Sequence, residues 1–231
     1  MTAPNGDPMQ HIDLVIFDCD GVLADSEVIS ARVLVEALGH HGLSVTMEHV
    51  FRNFVGQSFP KVAQKIRRDF ALDLPGSFEA EYRTRLVEEF AAGLRETEGV
   101  SAMLESLGRR ACVATSSSPQ RVGRTLALLK MERFFERVFT ASEVRHGKPA
   151  PDLFLHAAKH LNVQPKSCLV IEDSKAGLRA AQAAEMEVWR YTGAAHFAGF
   201  TAADIDTPPG IPAFDNWSAF YQMAPELKKV T

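Results

Sequence analysis

Four carboxylates follow short apolar runs of the sequence and are the residues best suited to chemistry. Asp18 and Asp20 come directly after the run 12–17, and Glu172 and Asp173 come directly after another such run. Carboxylates gathered at one place repel one another unless a cation lies among them. A set of oxygen ligands without histidine or cysteine suits Mg²⁺, which keeps some of its waters and takes other ligands from a phosphate. The pattern therefore predicts Mg²⁺ as the cofactor.

Two further segments add hydroxyl groups and one ammonium group. Thr115 and Ser116 follow the apolar run 111–114 and precede a helical pattern, and Lys148 lies in a Gly-Lys-Pro loop. Hydroxyls and backbone N–H groups ahead of a helix bind anions, and the lysine adds a positive charge for the same anion. An anion site, Mg²⁺ and a carboxylate that can act as nucleophile together describe phosphoryl transfer through an aspartyl-phosphate.

Short apolar runs are predicted to form the strands that carry these groups. The candidate strands are residues 12–17, 111–114, 168–171 and the weaker 187–191, with a further edge candidate at 137–140. Their apolar residues are nearly continuous, which is typical of parallel strands covered on both faces. Helical patterns that begin near Ser118, Pro151 and Ser174 alternate with them. We therefore expect an α/β fold with a doubly wound, Rossmann-like parallel sheet, whose strands end at the ligand site.

The stretch between the first two strands contains helical patterns only. It is far longer than one crossover helix requires, and glycines and a Pro-Gly pair divide it. We predict an all-helical subdomain at residues 28–94, inserted into a core made of residues 1–27 and 95–231. The segment 192–212, rich in Ala, Gly and Pro, is predicted to be irregular.

Four segments in this order resemble the four motifs of the haloacid dehalogenase superfamily. They begin at Asp18 (Asp-Cys-Asp-Gly-Val-Leu-Ala-Asp-Ser-Glu), Thr115, Gly147 (Gly-Lys-Pro-Ala-Pro-Asp) and Ile171 (Ile-Glu-Asp-Ser-Lys-Ala-Gly). More narrowly, they resemble the β-phosphoglucomutase-like phosphatases, which carry a helical cap after the first motif. The short segments Phe-Asp-Cys-Asp-Gly and Asp-Ser-Glu-Val-Ile also resemble segments of bacterial 6-phosphogluconate phosphatases.

The resemblance implies roles for the residues that match its motifs. Asp18 would be the nucleophile that takes the phosphoryl group. Asp20 would protonate the leaving alkoxide and later deprotonate the attacking water. Thr115 and Lys148 would bind the phosphoryl oxygens, with Ser116 beside Thr115 as a further substrate-binding candidate.

The same resemblance implies a metal site and a substrate-selecting cap. Mg²⁺ would be held by Asp18, the backbone carbonyl of Asp20 and the Asp173 carboxylate, with Glu172 close by as a ligand or as a structural support. The helical insert would be the cap that closes over the site, excludes water and selects the substrate. Arg83 is our candidate for a substrate-binding cap residue.

Three alternatives to a Mg²⁺-dependent phosphatase of a small phosphorylated sugar or sugar acid remain open. A β-phosphoglucomutase would use a cap histidine, but Ser30 stands at the matching place, which favours hydrolysis. A dehalogenase needs neither Asp20 nor Asp173. A non-catalytic binding protein on the same fold usually lacks a motif residue, and here every motif position is filled.

Composition limits the partners and the compartment of this 231-residue chain. A net charge of -4 without a polybasic segment argues against nucleic acid as a partner. No apolar run approaches the ~20 residues of a membrane span, and the first residues do not form a signal peptide. Three cysteines without metal-ligand spacing indicate a reduced compartment. We expect a cytoplasmic protein, a monomer or weak homodimer, that acts on a small phosphorylated metabolite.

Overall fold

Six strands of the described residues form one parallel sheet. A computed structural model describes residues 9–198 and 208–230. The strands are β1 (Leu14–Phe17), β2 (Arg110–Thr115), β3 (Val138–Thr140), β4 (Cys168–Glu172), β5 (Glu187–Tyr191) and β6 (Ala213–Phe214). Their order across the sheet is β3-β2-β1-β4-β5-β6, and all neighbours are parallel. The order reverses between β1 and β4, and ligands of such sheets bind outside the strand ends at that point.

Helices cover the sheet on both faces, because alternate side chains of each strand enter two separate hydrophobic clusters. Val15 and Phe17 of β1 belong to one cluster, and Leu14 and Ile16 belong to the other. The helices outside the long insert are α5 (Val100–Glu105), α6 (Pro119–Leu129), α7 (Asp152–His160), α8 (Lys175–Ala183) and α9 (Trp217–Met223). Continuous apolar strands are therefore buried on both sides, as a parallel sheet requires.

The first four helices after β1 form an insert with a hydrophobic cluster of their own. These helices are α1 (Glu27–His40), α2 (Met47–Asn53), α3 (Phe59–Phe70) and α4 (Phe78–Gly93). Leu38, Val62, Ile66 and Phe90 are among the buried members of that cluster. The helical insert therefore has its own core, separate from the two clusters that flank the sheet.

The predicted fold class, an α/β protein with a doubly wound parallel sheet, is confirmed. The predicted run 12–17 enters the sheet only at Leu14, and the edge candidate 137–140 enters it at Val138. The two-residue strand β6 and the short helices α2, α5 and α9 were not predicted, because such short elements contain too few residues to show a period.

Two predictions fall partly on residues that the structure does not describe. The chain start lies outside the described residues up to residue 8, and the predicted irregular segment 192–212 lies outside them at 199–207. Within the described ranges, no helix combines the length and the apolar character needed to cross a membrane.

Candidate active site

The ends of β1 and β4 and the loop before α7 bring four ionisable groups together in a buried cluster. The Lys148 ammonium donates to Asp18 Oδ1 at 2.9 Å and to Glu172 Oε1 at 2.5 Å. Ligand oxygens of Asp18, Glu172 and Asp173 all lie within 4.8 Å of one another. All four side chains are buried. Residues from three separate motifs of the sequence therefore meet at the switch point of the sheet.

The charge of this cluster fits a divalent cation. Three carboxylates against one ammonium leave a net charge of about −2 when all are ionised. Both oxygens of Asp173 are buried without a hydrogen-bond partner, and a buried acceptor left without a partner is costly. Oxygen ligands of this kind suit Mg²⁺. The residues present therefore fit the metal that the sequence predicts.

The two oxygens of Glu172 have protein partners. Its Oε1 accepts from Lys148, and its Oε2 accepts from the Ser174 backbone N–H at 2.8 Å and from the Ser174 hydroxyl at 3.0 Å. Asp173, by contrast, accepts no hydrogen bond from the side chains or backbone of the described residues, although His196 Nε2 lies 3.3 Å from its Oδ2. This difference favours Asp173 as a direct metal ligand and Glu172 as the residue that holds Lys148 in place.

Two glycines allow this close packing. At Gly21, φ is +78° and a Cβ would lie 2.1 Å from Asp173 Oδ2. At Gly177 in α8, a Cβ would lie 1.7 Å from Glu172 Oε1. A side chain at either position would collide with a carboxylate of the cluster, because real Cβ contacts are far longer than this.

Burial and neighbouring charges shift the pKa values of the cluster. Burial raises the pKa of Asp18 well above its ordinary value, and Glu172 and Asp173 add to this while Lys148 opposes it. Burial and the neighbouring Glu172 raise the pKa of Asp173 in the same way. Burial alone would lower the pKa of Lys148, but the Asp18 and Glu172 carboxylates raise it. The lysine therefore stays charged, and the unbalanced negative charge lies on the carboxylates.

Asp20 does not join this cluster and instead lies in a separate hydrogen-bond group. Its Oδ1 accepts from the Ser26 hydroxyl at 2.5 Å and from Arg121 Nη2 at 2.7 Å, and its Oδ2 accepts from the Ser117 hydroxyl at 2.5 Å. The same Arg121 nitrogen donates to the Ser30 hydroxyl at 3.0 Å. Burial raises the pKa of Asp20, but Arg121 and the two serines outweigh it and lower the pKa below its ordinary value.

Thr115, Ser116 and Arg83 lie around a small cavity between the sheet edge and the helical insert. The cavity has a volume of about 80 Å³, and Asp18 and Asp20 also line it. Arg83 of α4 donates to the Ser118 hydroxyl at 2.8 Å, so it reaches from the insert to the core. The structure therefore brings Thr115, Ser116 and Arg83 to one cavity, whereas Lys148, the other predicted substrate-binding residue, lines a neighbouring cavity.

Sequence analysis missed three residues near the site: the half-buried Arg121 and the buried Glu27 and His196. Arg121 lies one helical turn before the buried Thr125 of α6, and this shared face was the available signal. Glu27 is part of the first motif, and burial raises its pKa to about 8. His196 follows β5 in the segment without a readable pattern, and its Nε2 lies 3.3 Å from Asp173 Oδ2.

Comparison with known proteins identifies relatives over most of the chain. A family model described as haloacid dehalogenase-like hydrolase matches residues 15–190. The 6-phosphogluconate phosphatase of Escherichia coli (strain K12) is 31% identical over 191 residues, which cover 81% of this chain and 86% of that protein. Fructose-1-phosphate phosphatase YqaB of the same organism is 34% identical over 175 residues, which cover 75% of this chain and 93% of that protein.

A solved structure has the same fold. The crystal structure of a conserved haloacid dehalogenase-like protein of unknown function from Agrobacterium tumefaciens str. C58 matches with a TM-score of 0.79 and 28% identity. The match covers 93% of this chain and 98% of that chain. The chain belongs to the haloacid dehalogenase-like hydrolases.

The relatives also bear on the predicted enzyme class. Two phosphatases at 31% and 34% identity over most of the chain confirm the prediction of an enzyme of the phosphatase type. The roles of individual residues and the bounds of the cap are not tested by these matches, and both stay predictions.

Proposed function

We propose that the protein is a Mg²⁺-dependent phosphatase that hydrolyses a small phosphorylated sugar or sugar acid through an aspartyl-phosphate. The observation that carries this proposal is Lys148, which joins Asp18 to Glu172 inside a buried cluster with excess negative charge. The substrate class is supported by two relatives, whose names state 6-phosphogluconate and fructose 1-phosphate as what they act on.

In the first step, an Asp18 carboxylate oxygen forms a bond to phosphorus and the bond from phosphorus to the ester oxygen breaks. Asp20 gives its proton to the leaving alkoxide. The fold holds Asp18 for this attack between Lys148 and the backbone of β4, because the Asp18 N–H donates to the Ile171 carbonyl at 3.0 Å. A fixed nucleophile loses little entropy on the way to the transition state.

In the second step, Asp20 takes a proton from water, and this water attacks the aspartyl-phosphate and releases phosphate. The ammonium of Lys148 and the hydroxyl and N–H groups of Thr115 and Ser116 would hold the phosphoryl oxygens. Asp18, Asp173 and the Asp20 carbonyl would hold Mg²⁺, which supplies positive charge for the phosphoryl oxygens.

Before Asp20 can serve as an acid, its contacts must change. The hydroxyls of Ser26 and Ser117 and the Arg121 guanidinium all donate to its carboxylate, and a carboxylate in this setting holds no proton at neutral pH. We infer that the arrangement is a resting state of the acid, from which substrate binding releases Asp20.

The residue at position 30 disfavours the mutase alternative. The Ser30 hydroxyl donates to the Ser26 carbonyl at 2.8 Å and accepts from Arg121. A serine hydroxyl in this place does not titrate near neutral pH, so it cannot take the role of a histidine.

Phosphate release from a panel of sugar phosphates and sugar acid phosphates tests the proposal. We expect turnover with Mg²⁺ and none in excess EDTA. Asp18→Asn, a nearly isosteric change, is expected to lower kcat by at least ~1000-fold because it removes the nucleophile. Thermal unfolding of this variant checks that it is folded. Turnover by Asp18→Asn above that level would refute a role for Asp18 as the nucleophile.

A second measurement separates hydrolysis from phosphoryl transfer between sugar positions. We expect β-glucose 1-phosphate to yield inorganic phosphate rather than glucose 6-phosphate. Formation of glucose 6-phosphate without phosphate release would show a mutase. A purified protein with Mg²⁺ that releases phosphate from none of the panel would support the non-catalytic alternative.

A further inference from the structure

A second cavity, of about 470 Å³, lies beside the buried carboxylate cluster. Lys148 and Asp173 line one side of it, and α2, α3 and α8 line the rest. The segment between α2 and α3 separates it from the small cavity, since Val55 and Gln57 line both cavities. Asp20 lines only the small cavity. The large cavity therefore lies apart from the predicted acid and base.

The lining of the large cavity is strongly basic. Among the described residues of its lining, the cationic side chains besides Lys148 are Arg52, Lys61, Lys65, Lys175, Arg179 and Arg190, and the acidic one is Asp173. Arg52 pairs with Glu48, and Lys148 pairs with Asp18 and Glu172. Lys61, Lys65 and Arg179 form no ion pair with the described residues, so they bring positive charge to this cavity in a chain of net charge -4, and such a cavity attracts anions.

Two helices place like charges side by side in this cavity. Lys61 and Lys65 are four residues apart on α3, and Lys175 and Arg179 are four residues apart on α8. Side chains at this spacing are neighbours on a helix, and like charges there destabilise it. An anion between the two helices would lessen the repulsion between Lys61 and Lys65.

The position of two of these lysines along their helices adds to the argument. Lys61 lies in the first turn of α3, and Lys175 is the first residue of α8. The N-terminal turn of a helix carries positive partial charge, so cations are disfavoured there and anions are favoured. The Lys61 ammonium donates to the Lys148 carbonyl at 2.5 Å, which holds it beside the candidate phosphoryl site.

A buried histidine also lines the cavity. His196 is only 4% exposed, and its Nε2 lies 3.3 Å from Asp173 Oδ2. The phenyl rings of Phe51 and Phe197 lie against the imidazole, with centroids 6.1 and 4.0 Å away, and fix its position. His196 is therefore engaged with the carboxylate cluster, and contacts to an anion in this cavity come from its lysine and arginine side chains.

We propose that this basic cavity is a second anion site, which binds a carboxylate or phosphate group of a small metabolite between α3 and α8. The anionic group can belong to the substrate, as its remote acidic group, or to a separate molecule. The existence of the site does not depend on the proposed function. Its assignment to the acidic group of the substrate rests on the proposed function.

Titration calorimetry on Asp18→Asn protein with Mg²⁺ tests the site without turnover. The probes are 6-phosphogluconate, glucose 6-phosphate and inorganic phosphate; the first two differ in one carboxylate. The test variant adds Lys65→Met and Arg179→Met, neither of which is in the proposed catalytic machinery. A lost charge-assisted contact to an anion is expected to weaken binding at this site by about tenfold or more, and higher salt is expected to weaken it further.

The pattern over the three probes identifies the source of the anion. If the variant loses more affinity for 6-phosphogluconate than for glucose 6-phosphate, the site is assigned to the acidic group of the substrate. If the variant loses a second equivalent of bound phosphate while its affinity for both esters is unchanged, the site is assigned to a separate anion. Binding of all three probes that matches the parent protein would overturn the inference.

Matched variants separate local contacts from net charge and from misfolding. Lys159→Met with Lys166→Met removes the same charge from exposed positions, and we expect probe affinities within about twofold of the parent protein. Lys65→Arg with Arg179→Lys keeps the charges and is expected to restore most of the affinity. An equal loss in the Lys159/Lys166 variant would overturn the inference, because the effect would then be one of overall charge.

Failure of the proposed function gives a different result. If wild-type protein releases phosphate from no member of the panel, the phosphatase proposal fails while a loss of phosphate binding in the Lys65/Arg179 variant still supports the anion site. If both esters are hydrolysed and the variant binds like the parent, the anion site fails while the phosphatase proposal stands.

Discussion

At the scale of single residues, Arg121 and Asp20 form the contact with the clearest consequence for catalysis. Arg121 is a half-buried residue of α6, and it touches both the predicted acid and Ser30 of the insert. Its Nε atom is buried and has no hydrogen-bond partner among the described residues. Because its charge lowers the pKa of Asp20, Arg121 decides how often Asp20 carries a proton before substrate binds.

Replacing Arg121 by Met should raise the pKa of Asp20, because burial then acts on the carboxylate without the opposing charge. We expect the limb of the pH profile of kcat/KM that depends on Asp20 to move to higher pH. The measurement is kcat/KM between pH 5 and 9, which reports groups of the free enzyme.

Arg124→Met is the matched control, since Arg124 is exposed on the same helix. Its profile should overlay that of the wild type. If kcat/KM of Arg121→Met changes in size but its pH dependence does not move, Arg121 does not set the pKa of Asp20. Arg121 would then have a packing role alone.

Glu27 gives a prediction for stability against pH. Burial raises its pKa from 4.5 to about 8, so the folded state binds its proton more tightly than the unfolded state. The free energy of unfolding therefore falls as pH rises from about 4.5 towards 8. Glu27→Gln removes this part of the slope, and we expect it to gain about 1–3 kcal/mol relative to wild type at pH 8.

Urea unfolding of the metal-free proteins from pH 5 to pH 9 measures this difference. The gain of Glu27→Gln should be smallest at pH 5 and should reach its full value near pH 8. Curves of the two proteins that run parallel over the whole range would mean that Glu27 has an ordinary pKa in the folded state.

The sequence predicts site residues that follow strands far better than residues that reach the site from helices. Asp18 and Asp173 were predicted because the carboxyl ends of parallel strands meet at one edge. Arg121 and His196 were not, because one lies on a helix whose rotation is set by packing and the other lies in an irregular loop. Spacing along the chain does not determine either placement.

At the scale of elements, α8 is placed by a glycine rather than by a hydrophobic residue. Gly177 lies where a Cβ would meet Glu172 Oε1 at 1.7 Å, so α8 packs directly on the carboxylate that holds Lys148. The N-cap of the same helix, Ser174, donates to the other Glu172 oxygen. One short helix therefore fixes both oxygens of Glu172.

Gly177→Ala is expected to destabilise the protein by about 1–3 kcal/mol, because either α8 or Glu172 must move to admit the methyl group. The shift should also lower kcat through Lys148. Gly123→Ala is the matched control: Gly123 lies in α6, and its Cβ would meet nothing within 4 Å.

In the control, the gain in helix propensity should stabilise the protein by about 0.5–1 kcal/mol. Urea unfolding and kcat of both variants check the pair. Equal effects of the two substitutions on stability would rule out a steric role for Gly177.

Elements differ in how well the sequence predicts them. The strand 187–191 was predicted with the bounds that the structure has, and its end is marked by the change from Tyr191 to Thr192 and Gly193. The helix α2 was missed, since it has seven residues and one buried member, Val50. Helices this short owe their stability to packing against neighbours rather than to their own periodicity.

At the scale of the whole molecule, the buried cluster couples folding to the metal. Folding brings Asp18, Glu172 and Asp173 into one buried site, where Lys148 pairs with Asp18 and Glu172. The repulsion among them works against the folded state, and the unfolded chain does not experience it. A divalent cation that binds the folded state alone must therefore stabilise the protein.

We expect Mg²⁺ at about 100 times its Kd to add about 2.7 kcal/mol to the free energy of unfolding. For a chain of this length, this corresponds to a rise in Tm of about 5–10 °C. Asp173→Asn should unfold at a higher temperature than wild type without metal, because it removes one buried charge, and Mg²⁺ should then raise its Tm by much less.

Thermal unfolding in EDTA and in graded Mg²⁺ measures both effects, and Glu132→Gln, an exposed acid in a 3-10 helix, serves as the control. Its Tm should rise with Mg²⁺ as much as that of wild type, since general screening acts on every exposed acid alike. A rise in Tm that is equal in all three proteins would show that Mg²⁺ acts on the surface. The negative charge of the buried cluster would then need another explanation than a bound divalent ion.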